Sequence, residues 1–183
     1  MATTSLANES SLSKWSHATN SLHKVKAALE NDEVTAIECD IRMGHPAARD
    51  YYSFLMASSA VPILSHPSWF PSSRRRSDLT LSHFLSLVTS VEEESKSKKN
   101  NTRILLKHTK LDFKESSALA PSLTQLSDLH LTNTNAFSKT IFLNADILPG
   151  PGRRWMSHMD PSTFLETSLS HIRSDKVKTR GWT

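Results

Sequence analysis

The sequence predicts an α/β fold, a (β/α)8 TIM-like barrel that is incomplete toward its C-terminus, with about six of the eight strands of a closed barrel. Short apolar runs alternate with amphipathic helical stripes along most of the chain, the signature of repeated β-α units around a parallel sheet. Residues able to do chemistry gather at the ends of the apolar runs, where a parallel barrel has its mouth. One run, Ala36-Ile37-Glu38-Cys39-Asp40-Ile41, places two carboxylates two residues apart, and so on one face of an extended strand.

A flexible N-terminal segment, 1–14, is expected to precede one barrel domain, 15–183. Residues 15–21 end a first strand and lead into a helix capped by Asn20 or Ser21, with Leu22, Val25, Ala28 and Leu29 as its buried stripe. The acidic strand covers 35–41. Residues 42–60, with Gly44, Pro46 and the run 51–55, read as a loop or small hairpin. Residues 61–65 form a short apolar strand that stops at His66-Pro67. Asp78 is the expected N-cap of a helix carrying Leu81, Phe84, Leu85, Val88 and Val91 on one side. The charged stretch 92–102 then reads as an exposed connection.

The run 104–113 is strand-like toward its end, where Lys110, Asp112 and Lys114 share one face and Leu111 and Phe113 the other. A helix over 116–129 carries Leu119, Leu123 and Leu126, with Pro121 acceptable only in its first turn. Residues 140–146 are a further strand, closed by the rigid Pro149-Gly150-Pro151-Gly152 turn. Asp160-Pro161 is a cap followed by proline at the first helical position, with Phe164, Leu165, Leu169 and Ile172 expected on the buried side. Residues 177–182 read as a last strand.

At 183 residues the chain suits one domain with a substantial core. A net charge of +4 admits an anionic partner, yet the basic residues are scattered apart from Arg74-Arg75-Arg76 and the 96–99 region. No aromatic interleaving or motif points to nucleic acid. A single cysteine excludes an internal disulfide framework and any multi-cysteine zinc site, and Cys39 faces away from the acids, into the expected core. The N-terminus lacks a basic start followed by an apolar stretch, and no run has the length needed to span a bilayer. A soluble, cytoplasmic protein without a transmembrane segment is the expectation.

In a parallel barrel the strand-end residues His17, Glu38 with Asp40, His66, Asp112 with Lys114, Asn144 with Asp146, and Trp182 converge on one mouth. Taken singly, each is more often a cap or a surface group; Asp146 also reads as a turn former. Their recurrence on separate strands favours a site. Glu38, Asp40 and Asp112 supply hard oxygen ligands suited to a divalent metal, Mg or Ca. His17 and His66 suit acid and base roles on opposite sides of a phosphorus centre. Lys114 suits a phosphate oxygen, and Asn144 and Trp182 are the further strand-end residues expected to bind substrate.

The segments Trp15-Ser16-His17-Ala18-Thr19-Asn20-Ser21, Ile37-Glu38-Cys39-Asp40-Ile41, Ser65-His66-Pro67, Lys110-Leu111-Asp112-Phe113-Lys114, Leu143 through Pro151 and Gly181-Trp182-Thr183 resemble the menorin family. That family is similar in turn to the phospholipase-C-like barrels that include glycerophosphodiester phosphodiesterases. The resemblance implies metal binding by Glu38, Asp40 and Asp112 and acid/base roles for His17 and His66. It also implies a phosphodiester substrate, small or lipid-derived. Two positions depart from the phosphodiesterase pattern: His17-Ala18-Thr19-Asn20 stands where His-Arg-Gly is usual, with Asn20 substituting in part for the arginine, and His66-Pro67 stands where His-Asp is usual. Family chains usually continue beyond Gly-Trp-Thr, which implies a barrel lacking its last strands. The alternative reading is a catalytically silent barrel that works as a protein-interaction module.

Overall fold

The computed structural model describes residues 14–47, 59–66, 76–97, 107–132, 140–147 and 159–178. Among them are six strands, β1 (Trp15–Ser16), β2 (Ala36–Pro46), β3 (Val61–Leu64), β4 (Arg76–Ser77), β5 (His108–Phe113) and β6 (Ile141–Ala145). Four helices alternate with them: α1 (Leu22–Glu30), α2 (Leu81–Ser97), α3 (Leu119–Thr132) and α4 (Pro161–Lys178). The main path of the sheet runs β1-β2-β5-β6, every neighbour parallel, with α1, α2, α3 and α4 following those strands in turn. Among the described residues the fold is therefore mixed α/β with a parallel-rich sheet that is not closed.

Alternation along β2 and β5 decides which face is the core. Ile37, Cys39 and Ile41 project with Leu111 and Phe113 to one side and are fully buried. There they join Val25 and Ala28 of α1, Leu81, Phe84, Leu85 and Val88 of α2, and Leu119 and Leu123 of α3 in a single apolar cluster. Burial of this kind contributes about 1.5–3 kcal/mol for each large side chain. The helices thus cover one face of the sheet, as in a barrel, whereas a doubly wound sheet has helices on both.

The opposite face is polar and concave. Trp15 on β1 and Phe142 on β6 are separated by two intervening strands, about 14 Å in a flat sheet, yet their ring centroids lie 6.0 Å apart. The sheet has to curl for their side chains to converge. His108 on β5 lies 6.1 Å from Phe142, so an aromatic layer lines the lower end of the concavity.

Several expectations change. The strand over 61–65 is present but antiparallel to β2, pairing Leu64 with Ile41 and Val61 with Gly44. It is no member of the parallel path, which therefore holds four strands. The reason is the length of β2: it runs past the end of β5 to Pro46, and the extra edge is taken up by β3 and β4. The stretch expected as an exposed connection after Val91 continues as helix to Ser97, in keeping with its Glu, Ser and Lys content. Likewise α4 runs to Lys178 and takes up the start of the expected last strand. Leu165 and Leu169 are exposed, whereas Phe164 packs on the core, 6.5 Å from the Phe113 ring, and Ser168 is buried. The run 51–55, the Pro149–Gly152 turn and Trp182 lie outside the described residues.

The caps are partly as expected and partly exchanged. Ser21 caps α1, its hydroxyl accepting from the Lys24 amide, and Asp160 caps α4, accepting from the Thr163 amide at 2.7 Å. Asp78 instead accepts from the Leu22 amide at 3.2 Å, so it caps α1 across 56 residues of chain. The first turn of its own helix is served by Thr80, whose hydroxyl accepts from the His83 amide. We expect Asp78→Ala to cost about 1 kcal/mol in denaturant unfolding and to speed amide exchange at the start of α1. Faster exchange confined to the start of α2 would reassign the cap.

Candidate functional site

The register of the parallel strands stacks the chemistry in rows on the concave face. Glu38 pairs with Lys110 and Lys110 with Phe142; one row higher, Asp40 pairs with Asp112 and Asp112 with Asn144. Glu38, Asp40, Lys110 and Asp112 therefore project together because Glu-x-Asp lies in register with Lys-x-Asp, and both strands have period two.

In the upper row the Lys114 ammonium lies between the two aspartates, 2.6 Å from Asp112 Oδ2 and 3.1 Å from Asp40 Oδ1, with Asp146 Oδ2 at 3.7 Å. Each aspartate gives its other oxygen to an amide. Asn20 Nδ2 donates to Asp40 Oδ2 at 2.6 Å, and Asn144 Nδ2 donates to Asp112 Oδ1 at 2.9 Å. Asn20 also accepts from the Asp40 backbone amide at 2.8 Å, which clamps the β1–α1 turn to the acidic strand at two points. Asp40, Asp112 and Lys114 are largely buried. Burial works against the ammonium, but the hydrogen bonds and charges of Asp112 and Asp40 prevail and push Lys114 up to about 12.

In the row below, Lys110 Nζ donates to Glu38 Oε1 at 2.8 Å, and His17 Nδ1 bonds to Glu38 Oε2. Burial alone would raise the Glu38 carboxyl; hydrogen bonds from Lys110 and His17, with their charges, outweigh it and hold the group below its ordinary 4.5. The His17 side chain is 70% exposed, at the open side of the face, with Trp15 stacked 6.4 Å away. With Nδ1 engaged, Nε2 is the ring atom left to meet a ligand.

The turn that delivers these groups is unusual. Ala18 has φ of 48°, in the left-handed region, where a side chain costs about 1–2 kcal/mol. Neighbouring bonds hold it there: the Thr19 amide donates to the Glu38 carbonyl at 2.9 Å, the Thr19 hydroxyl to the Ser16 carbonyl, and Lys24 Nζ to the Ala18 carbonyl. The reversal lets His17 and Asn20, three residues apart, reach Glu38 and Asp40 respectively.

The structure thus joins His17 to Glu38, Asn20 to Asp40, and Asp40, Lys114, Asp112 and Asn144 to one another. His66 is exposed and follows Ser65, whose amide donates to the Asp40 carbonyl at 2.9 Å, so it stands at the edge of the acidic strand. Among the described residues no three of His, Cys, Asp and Glu form a group able to hold a metal ion, and the cation between Asp40 and Asp112 is Lys114. Lys110 was not among the expected site residues. Its signal was present in Lys-x-Asp-x-Lys, but only the strand register reveals that it faces Glu38. Cys39, on the other face, is a buried core group whose thiol is pushed well up by that burial.

Comparison with known proteins agrees with the motifs. The Menorin N-terminal domain model matches residues 9–183. Protein FAM151B of Homo sapiens is 30% identical over 171 residues, a match covering 92% of this chain and 49% of that protein. The chain therefore spans about half the length of this curated relative. No solved structure matches significantly. Among the described residues no helix is long and apolar enough to cross a membrane. A family model that covers nearly the whole sequence, together with a relative matched over 92% of the chain at this identity, places the chain in the menorin family.

Proposed function

We propose that the concave face is a phosphodiester-processing site and that the four β-α units are part of a TIM-type barrel built around it. The observation that carries this reading is the His17–Glu38 pair standing on the same face as a fixed lysine cation. Lys110 and His17 keep Glu38 ionised, and Glu38 in turn accepts from His17 Nδ1. The imidazole is then oriented with Nε2 outward, ready to take a proton from a nucleophile or return one to a leaving group. Lys114 keeps its charge at neutral pH and offers the negative oxygens of a phosphate a positive partner close at hand. His66, at the edge of the acidic strand, is the second acid/base group in this reading. The substrate class is a small or lipid-derived phosphodiester.

In this reading the cofactor is a divalent metal, Mg or Ca, which would take this place only by displacing Lys114, because among the described residues the carboxylates do not form a ready three-ligand group. Asp40 and Asp112 already share a cation, the Lys114 ammonium, and offer hard carboxylate oxygens. These two, with Glu38 from the row below, are the residues that would hold the ion. Bound there, it would supply positive charge to a phosphate as negative charge develops.

Turnover of bis(p-nitrophenyl) phosphate in the presence of Mg or Ca tests the reading. We expect His17→Ala to lower kcat by about 10²–10⁴-fold, and Asp40→Asn to remove the thermal stabilisation that the metal gives the unaltered chain. Full activity in His17→Ala would remove that residue from the mechanism, and the absence of any metal-induced stabilisation would remove the metal.

The charge network also sets a pH dependence. Glu38 titrates below its ordinary 4.5 in the folded chain, so its stabilising contribution is present above that value and is lost as pH falls through the folded one. Lys114, raised from 10.5 to about 12, contributes fully below 10.5 and loses that contribution as pH rises through about 12. Lys114→Met leaves two buried carboxylates without their cation. We expect it to cost about 3–5 kcal/mol at pH 7, measured by urea unfolding. A deficit under about 0.5 kcal/mol, as for ordinary surface substitutions, would show that Lys114 is not what neutralises the two carboxylates.

A further inference from the structure

We infer that Arg42 is a phosphate-binding residue of the concave face, its guanidinium meeting phosphate oxygens just beyond the row of Asp40, Lys114 and Asp112. The ligand class, a phosphate oxyanion, rests on the phosphodiester reading above; the placement of Arg42 does not. Along β2 residues 38, 40 and 42 project to one side, so Arg42 shares the concave face with Glu38 and Asp40. It stands two residues past Asp40, about 7 Å further toward the C-terminal ends of the parallel strands. Barrel enzymes bind their substrates at that end. The strand ladder also brings a second cation beside it. The Lys114 amide donates to the Ile41 carbonyl at 3.0 Å, which continues the β2–β5 register by one residue and sets Lys114 opposite Arg42.

A donor left without an acceptor distinguishes Arg42 from its neighbours. Its side chain is 17% exposed, and among the described residues its buried Nε has no hydrogen-bond partner. The ion pair with Glu115 Oε2 spans 3.9 Å, too long for a hydrogen bond. Glu115 is held by the backbone instead: its Oε1 accepts from the Met43 amide at 2.6 Å, in place of a ladder carbonyl, just past the end of β5 at Phe113. On the other flank Arg42 pairs with Ile63 of β3, fully buried, whose apolar side chain offers no acceptor. A buried donor left unpaired is costly, and in native proteins it marks a place where an ion, a water or a ligand completes the bonding.

The other lysines of this face are already engaged, Lys110 by Glu38 and Lys114 by Asp112 and Asp40. Arg42 keeps bonding capacity to spare. A guanidinium carries five donors in a planar fork that matches two oxygens of a phosphate, a geometry an ammonium lacks. A phosphate group supplies both the negative charge and the paired oxygens that such a fork takes. The two aspartates one row below are each bonded to Lys114 and to an asparagine amide, so their oxygens are committed to those partners rather than to Arg42.

Calorimetric titration with inorganic phosphate and turnover of bis(p-nitrophenyl) phosphate test the inference together. We expect Arg42→Met to weaken phosphate binding and to raise KM about 10- to 100-fold, with a smaller change in kcat. Its urea midpoint should not fall, since Met fills the place of the arginine stem and Nε has no hydrogen bond to lose. Arg42→Lys recovers part of the binding, because it keeps the charge without the fork. Glu115→Gln leaves phosphate binding intact. Phosphate binding and KM that are the same in Arg42→Met as in the unaltered chain overturn the inference and leave the phosphodiester reading standing. Phosphate binding that depends on Arg42 in a chain without turnover does the reverse, supporting the inference while removing the catalysis. An unaltered chain that neither binds phosphate nor turns over the diester overturns the inference. So does an equal loss of stability in Arg42→Met and Glu115→Gln, which would make the two residues a structural pair.

Discussion

The parallel register between β2 and β5 sets both faces of the molecule at once. Six residue pairs, from Ala36 with His108 to Ile41 with Phe113, fix which side chains meet the helices and which meet the concavity. A slip of one residue would drive Glu38 and Asp40 into the apolar cluster and Ile37, Cys39 and Ile41 into the polar face. The apolar cluster behind the sheet therefore enforces the geometry of the charges in front of it. The core of this protein does more than hold it together: it keeps two aspartates opposite one another and a lysine between them.

The charged face is high in energetic consequence because so much of it is removed from water. Carboxylates placed side by side on adjacent strands repel, and an unpaired buried charge costs several kcal/mol. Each is balanced locally, Asp40 and Asp112 by Lys114 and an asparagine amide apiece, Glu38 by Lys110 and His17. The left-handed turn at Ala18 belongs to the same balance, since it carries His17 and Asn20 back to the acidic strand at a steric cost that the clamp between Asn20 and Asp40 offsets. A face assembled in this way is pre-organised, with its charges fixed before any ligand arrives.

Much of this was legible in the chain. Glu38 and Asp40 could be assigned to one face from spacing alone, and so could Lys110, Asp112 and Lys114, because a strand alternates strictly. Asp160 and Ser21 were readable as caps because a cap bonds within a few residues of itself. Asp78 was misread for the complementary reason: its acceptor oxygen serves Leu22, 56 residues earlier, and no local rule reports a contact of that range. β3 was misread as a barrel strand because an apolar run carries no mark of direction, and whether it lies parallel or antiparallel depends on which edge is open when it returns. On α4 the helical period was right, yet Leu165 and Leu169 turned out exposed, since the buried side is chosen by contact with α3 and the sheet rather than by the distribution of leucines.

The sequence by itself determined the elements, the faces of the acidic strands, the family and the residue types available for chemistry, because these follow from local periodicity and short motifs. The tertiary structure alone decided that Lys110 neutralises Glu38, that Lys114 occupies the space between Asp40 and Asp112, and that four parallel strands curl into an open concavity rather than a closed ring. Those outcomes depend on register and curvature, which arise only when strands distant in sequence settle against a common core.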